Sequence, residues 1–385
     1  MKRIKLGVLY KNMEGWIGGT YYIQNLISAL NSLSDAQKPE IVLYSSTVEE
    51  FDQLKKIKYP YISSRELKEV NRQKNIIIRK LKRALAKLNV VGLFQPLINL
   101  KADDIDAIFP APVSFNVKSN QKRIFWIPDF QELHYPQFFS SYEVKLRVQG
   151  HRIIANSTDT VIFSSEDVFN DFKKFYPGYK SQTEVIQFAV THPSLSSLAS
   201  SALAEKYGIS KGYFISPNQF WAHKNHAIVI EAAKILKDQN LLNFEIVFTG
   251  KEEDYRNPDY AEKLKQKVKN LDLEKSIKFL GFIDRVDQLQ LMKGALAVIQ
   301  PSLFEGWSTV VEDTKSLNQH IIASDLEVHK EQLRQYPHLL FNRKDSNDLA
   351  EKIKSMTSVC QNTIVYDYDK DIRMFGEKFL KVLMN

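Results

Sequence analysis

Short apolar runs alternate along the chain with stretches whose apolar positions recur every three or four residues. This is the pattern of β-strands alternating with amphipathic helices. The runs fall at Ile4–Tyr10, Glu40–Tyr44, Ala107–Phe109, Arg123–Ile127, Thr160–Ser164 and Thr183–Ile186. A second series falls at Tyr213–Ser216, Phe244–Thr249, Ile277–Leu280, Leu296–Gln300 and His320–Ala323. Helices are predicted at Thr20–Asn31, Ala227–Lys237, Thr309–Leu317 and Lys370–Leu383. Such alternation builds parallel sheets from βαβ units, so the fold class is α/β. Between the two series lies Thr191-His-Pro-Ser-Leu-Ser-Ser-Leu-Ala-Ser-Ser201, a Ser-rich stretch with one Pro that reads as a linker. The predicted organisation is therefore a first domain over 1–190, a second over 191–365 and a terminal helix within 366–385.

Composition agrees with two cores. A chain of 385 residues, 44% of them hydrophobic, exceeds what one core usually organises, and both halves carry enough apolar residues for their own. The one cysteine, Cys360, excludes an internal disulfide framework and a cysteine-rich zinc site, and suits a reducing compartment. The basic start, Met1-Lys-Arg-Ile-Lys5, precedes an apolar run that Lys11 interrupts, too short for a secretion signal. No run approaches the length that spans a bilayer. A cytoplasmic protein is expected.

The formal charge of +8 changes that picture in one respect. Residues 1–190 hold 27 basic and 19 acidic side chains, and the remainder holds 26 of each, so the whole excess lies in the first half. Its densest part, Arg72–Lys87, has seven basic residues and no acidic one. Ile77, Leu81, Leu85 and Leu88 recur there at helical spacing. A basic amphipathic helix over 72–88 lies on an anionic membrane surface or packs its stripe on its own domain. No aromatic interleaving accompanies the charge, so nucleic acid is not expected.

The candidate chemistry centres on Pro301–Asp325, PSLFEGWSTVVEDTKSLNQHIIASD. An apolar strand ends there, Glu305-Gly306-Trp307-Ser308 forms a turn, and a helix opens at Thr309. Unpaired amides at a helix start attract phosphate, and a carboxylate beside such a site accepts hydrogen bonds from hydroxyls. The segment resembles the Glu-x7-Glu signature of retaining, nucleotide-sugar-dependent glycosyltransferases of family 4. Eight residues on from Glu305 stands Asp313, one methylene shorter than the signature, with Glu312 just before it.

The resemblance implies the GT-B fold, two Rossmann-like domains facing across a deep cleft. It implies that Glu305 contacts the donor sugar and that Asp313, or else Glu312, holds the ribose. In Ser216-Pro-Asn-Gln-Phe-Trp-Ala-His-Lys-Asn-His226, Lys224 matches the family's diphosphate-gripping Lys, whereas Gln219 stands where an Arg is usual. His223 flanks the Lys. A metal pair formed by His223 and His226 has no third partner in the sequence. Thr249-Gly250 ends another strand and fits backbone approach to a nucleotide, and Gly281-Phe282-Ile283 walls the base or is a plain turn. The turn Glu14-Gly-Trp-Ile-Gly18-Gly19 corresponds to the family's Gly-Gly loop. In Trp126-Ile-Pro-Asp129-Phe-Gln-Glu-Leu-His134, Asp129 matches the acceptor-side Asp, Pro128 replaces the usual His, and His134 is the substitute candidate.

The resemblance thus implies a hexosyltransferase that takes a nucleotide-sugar donor and a glycan or lipid-linked acceptor in cell-surface polysaccharide synthesis. Retention would come from the leaving phosphate deprotonating the acceptor. Nucleotide-sugar epimerase or hydrolase activity on the same fold, or a non-catalytic nucleotide-sugar-binding subunit, are the alternatives. Gly-x-Ser-x-Gly, His-Glu-x2-His and P-loop motifs are absent. Asp367-Tyr-Asp369-Lys-Asp371 precedes the terminal helix and reads as a cap, so no cofactor and no metal are expected.

Overall fold

The computed structural model describes residues 3–10, 17–45, 48–66, 98–99, 103–113, 115–192, 200–358 and 363–385. The basic segment 72–88 and Cys360 lie outside the described residues. The chain divides into two compact units, Met1–Thr191 with Asp369–Asn385, and His192–Tyr368.

The first unit is built on β1 (Lys5–Leu9), β2 (Glu40–Ser45), β3 (Ile62–Glu66), β4 (Ile98–Asn99), β5 (Ala107–Phe109), β6 (Phe115–Asn116), β7 (Lys122–Ile127), β8 (Thr160–Phe163) and β9 (Gln182–Val185). Seven of these form one sheet in the order β3-β2-β1-β5-β7-β8-β9, and β4 pairs with β6 separately. Every pairing in the large sheet is parallel. The second unit repeats the plan with β10 (Tyr213–Pro217), β11 (Glu245–Thr249), β12 (Ile277–Phe279), β13 (Val298–Gln300), β14 (Ile321–Ser324) and β15 (Leu339–Phe341). Their order, β12-β11-β10-β13-β14-β15, is again wholly parallel.

All eleven predicted strands are present, most of them because strands covered on both faces by crossover helices are apolar, whereas β9 is a sheet-edge strand with no buried position. β10 and β11, for example, are buried at every position. The strands that patterning passed over, β3, β4, β6 and β15, are short or polar. β3 and β15 sit at sheet edges with a single neighbour each. The helix predicted from Thr20 begins at Ile17. Gly18 and Gly19 therefore stand in its first turn, where amides lack helical partners anyway and glycine costs least. Among the described residues no helix is long and apolar enough to cross a membrane.

The helix Asp369–Met384 completes the first unit. Phe375 meets Tyr22 edge-on at 5.7 Å and Phe379 meets Phe109 at 4.9 Å, while Tyr22 stacks on Trp126 at 4.0 Å. Lys122 Nζ donates to the Val382 carbonyl at 2.6 Å, and Lys378 Nζ to Gln187 Oε1 at 2.7 Å. The closest approach is at Gly376, where a Cβ would stand 2.6 Å from the carbonyl oxygen of Ala29 on the helix Ile17–Asn31. No real Cβ tolerates that distance to backbone. Gly376→Ala is therefore expected to lower stability by about 1–3 kcal/mol through overpacking, read as an earlier urea midpoint at unchanged slope.

Candidate functional site

In the second unit β10 and β13 are neighbours although their crossovers run to opposite sides, so a crevice opens beyond their carboxyl ends. Two connections line it: Asn218–Asn225 after β10, and Pro301–Ser308 after β13. They meet through an ion pair, Lys224 Nζ to Glu305 Oε1 at 2.6 Å, with the side chains 16% and 9% exposed. The same oxygen accepts from Gln300 Nε2 at 2.8 Å and Ser302 Oγ at 2.7 Å. Gln300, fully buried, also donates to Ser302 Oγ at 3.1 Å and Ser308 Oγ at 3.0 Å, while its Oε1 accepts from Asn218 Nδ2 at 2.8 Å. One side-chain amide thus joins both strand ends, the acid and the start of the next helix.

The Lys224 loop is held by Asn225, whose left-handed backbone (φ 57°) turns the chain from a short 3-10 segment, Ala222–Lys224, into the helix His226–Asp238. Its Nδ2 donates to the carbonyls of Pro301 and Arg343, both at 3.1 Å. Leu303 N adds a bond to the His223 carbonyl at 2.7 Å. His223 is buried, and burial, then the charge of Lys224, hold its imidazole well below the ordinary value. His226 faces away into the core, stacked on Phe220 at 4.6 Å, and burial pushes it down to about 3. Gln219 is half-buried. Gly250 has a structural reason: with φ +145°, a Cβ there would lie 2.2 Å from the Asn218 carbonyl oxygen.

Ser308 caps the helix Thr309–Ser316, its Oγ accepting from Val311 N at 3.4 Å. Gln332 clasps the cap, with Ser308 N donating to its Oε1 at 3.0 Å and its Nε2 donating to the Ser308 carbonyl at 3.1 Å. Gly306 is buried, and Trp307 and Thr309 are half-buried. The two acids that follow have different roles. Glu312 is wholly buried and accepts from Lys315 Nζ at 3.3 Å, Gln332 Nε2 at 3.0 Å and the Tyr368 hydroxyl at 2.7 Å, so both its oxygens are used inside the unit. Asp313 Oδ1 accepts from Arg285 Nη2 at 2.6 Å and lies 3.7 Å from His192 Nε2. Of the two, Asp313 is the acid linked, through Arg285, to the helix that follows β12.

In the first unit Asp129 is half-buried after β7, its Oδ1 accepting from Gln131 N at 2.9 Å, and burial raises its pKa. His134 ends the helical turn Gln131–His134 and pairs with Asp171 of the helix Glu166–Phe175 at 2.5 Å. Gly18 is exposed and Gly19 buried at the start of the helix Ile17–Asn31. Sequence reasoning missed Asn218, Gln300, Gln332 and Arg285. Asn218, Gln300 and Arg285 are polar side chains at a strand end or helix start, Gln332 ends a short helix, and their number around one crevice was the available signal.

Residues 202–359 match the family model described as Glycosyl transferases group 1. The match lies within the second unit. Among curated proteins, the O-antigen chain mannosyltransferase RfbU of Salmonella typhimurium is 28% identical over 173 residues, 43% of this chain and 46% of that protein. The match thus spans less than half the length of that relative. The whole chain resembles solved structures in fold. Alr3699/HepE of Anabaena, solved with UDP and glucose, has a TM-score of 0.62 at 17% identity, covering 99% of this chain and 95% of that one. A glycosyltransferase of Rickettsia africae has a TM-score of 0.63 at 15% identity, covering 100% and 94%. These likenesses establish the fold as GT-B.

Gln300→Leu strips the crevice of the second unit of its central donor and acceptor, and should destabilise by about 1–3 kcal/mol in urea denaturation, since buried partners are left unpaired. His134 has its pKa raised above 6.5, chiefly by the hydrogen bond to Asp171. A raised folded value gives stability that is complete below the unfolded pKa and lost as pH climbs through the folded one. Melting temperature should therefore fall as pH rises upward from about 6.5, and Asp171→Asn should flatten that fall.

Proposed function

We propose that the protein is a retaining hexosyltransferase that uses a nucleotide-sugar donor and acts on a glycan or lipid-linked acceptor in cell-surface polysaccharide synthesis. The observation that carries this reading is the Lys224–Glu305 pair at the β10/β13 crevice of a group 1 domain. The O-antigen mannosyltransferase relative and the UDP- and glucose-bound structure with the same fold support the substrate class.

Cleaving a glycosyl phosphate builds negative charge on the departing diphosphate. Lys224 and the amides at the start of the helix Thr309–Ser316 meet that charge as it develops, which lowers the barrier more than it tightens ground-state binding. Neither contribution calls for a metal ion. Glu305, fixed on one oxygen by three donors, orients the hydroxyls of the donor sugar. Engagement of a diphosphate by Lys224 would loosen its pair with Glu305 and release the carboxylate for the sugar. Asp313 takes the ribose. On the acceptor side Asp129 is the reading's candidate, and His134 is occupied by Asp171.

Thermal stabilisation by UDP, GDP, dTDP and CMP and their sugars tests the first step, because a ligand of the folded state raises the melting temperature. One nucleotide is expected to shift it, and a saturating panel with no effect would refute the donor class. With the donor known, Glu305→Ala and Lys224→Ala should each lower transfer by roughly 10²–10³ while melting cooperatively. Full activity in either variant removes the site assignment.

A further inference from the structure

A line of hydrogen bonds runs along the carboxyl edge of the second sheet. Thr249, the last residue of β11, accepts through Oγ1 from Gln288 Nε2 at 3.0 Å. Gln288 Oε1 accepts from Arg285 Nη1 at 2.9 Å, and Arg285 Nη2 donates to Asp313 Oδ1 at 2.6 Å. The guanidinium therefore bridges the element after β12 to the helix after β13, reaching back to the end of β11. Its backbone is fixed as well, because Arg285 opens the helix Arg285–Gly294 and Asp284 caps that helix by accepting from the amides of Val286 and Asp287.

Asp313 is 2% exposed at the side chain and Arg285 is 27% exposed, so the pair presents mainly the guanidinium to solvent. On the other flank His192 Nε2 contacts Ser316 Oγ at 2.6 Å. Asp313 Oδ2 accepts no hydrogen bond among the described residues. A carboxylate only accepts hydrogen bonds and a guanidinium only donates them. A vicinal diol can satisfy both at once, one hydroxyl donating to the acid while the other accepts from the arginine.

We propose that Arg285 is a nucleoside-binding residue that acts with Asp313 on the ribose diol of a bound nucleotide. This rests on reading the group 1 domain as a nucleotide-sugar site, and adds that discrimination of ribose from deoxyribose resides in the pair. Asp313 Oδ2 meets one hydroxyl, and Arg285 supplies the second half of the contact.

The test is calorimetric titration of the full-length protein with UDP and GDP and with their 2′-deoxy counterparts, on wild type, Arg285→Ala and Arg285→Lys. Wild type should bind one ribonucleotide about tenfold or more tighter than its deoxy form. Arg285→Ala should lose about ten- to hundredfold for the ribonucleotide and little for the deoxy form, so that the preference collapses. Arg285→Lys keeps a donor and a charge, and should recover part of the preference even if the alanine variant folds poorly. Equal loss for both nucleotides would assign Arg285 to structure alone and overturn the inference, as would no loss. A wild type that binds without regard to the 2′-hydroxyl, or prefers the deoxy form, also overturns it while leaving the nucleotide-sugar reading standing. A wild type that binds none of the four overturns the inference, and the nucleotide-sugar reading falls with it only where the full UDP, GDP, dTDP and CMP panel also leaves the melting temperature unmoved.

Discussion

The site depends on one topological constraint, the reversal of strand order between β10 and β13. Crossovers leaving adjacent parallel strands toward opposite faces cannot fill the space between their own carboxyl ends, so a crevice is left there whatever the sequence. The chain uses that crevice by sending polar side chains into it from both connections. Lys224 and Glu305 are 81 residues apart, and Asn218 and Gln300 are 82 apart. Every group in it is buried or nearly so, and a low-dielectric setting makes an unmatched polar atom expensive and a matched one strong. The matched pairs Asn218–Gln300 and Lys224–Glu305 therefore tie the two connections together.

Gln300 shows how this is done with few parts. A carboxamide both donates and accepts, so one side chain can receive Asn218 and hold Glu305, Ser302 and Ser308. A carboxylate at this position would repel Glu305, and an aliphatic side chain would leave its neighbours unpaired. The amide also introduces no charge of its own beside an acid whose charge matters.

Much of the architecture was legible in the chain because parallel strands buried on both faces are plainly apolar, as β10 and β11 are. The edge strand Ile62-Ser-Ser-Arg-Glu66 was not, since an edge tolerates polar residues and looks like a loop. At the site, Lys224, Glu305 and Asp313 were singled out by their resemblance to family motifs that stand after predicted strands. The separation of Glu312 from Asp313 could not, because it turns on which way two consecutive side chains point from one helix. Glu312 is claimed by Lys315, Gln332 and Tyr368, contacts that no spacing rule announces. Arg285 was invisible for the same reason, its meaning being set by a partner 28 positions away.

The helix Asp369–Met384 belongs to the first unit although 177 residues, His192–Tyr368, intervene. On a ribosome the first unit is thus translated without its closing element, and Tyr22 and Phe109 wait with the surface that Phe375 and Phe379 will cover. The second unit is contiguous and can reach its native state before that surface is sealed. The order of maturation is thereby the reverse of the order of synthesis, and the sticky interval lasts as long as the inserted unit takes to be made.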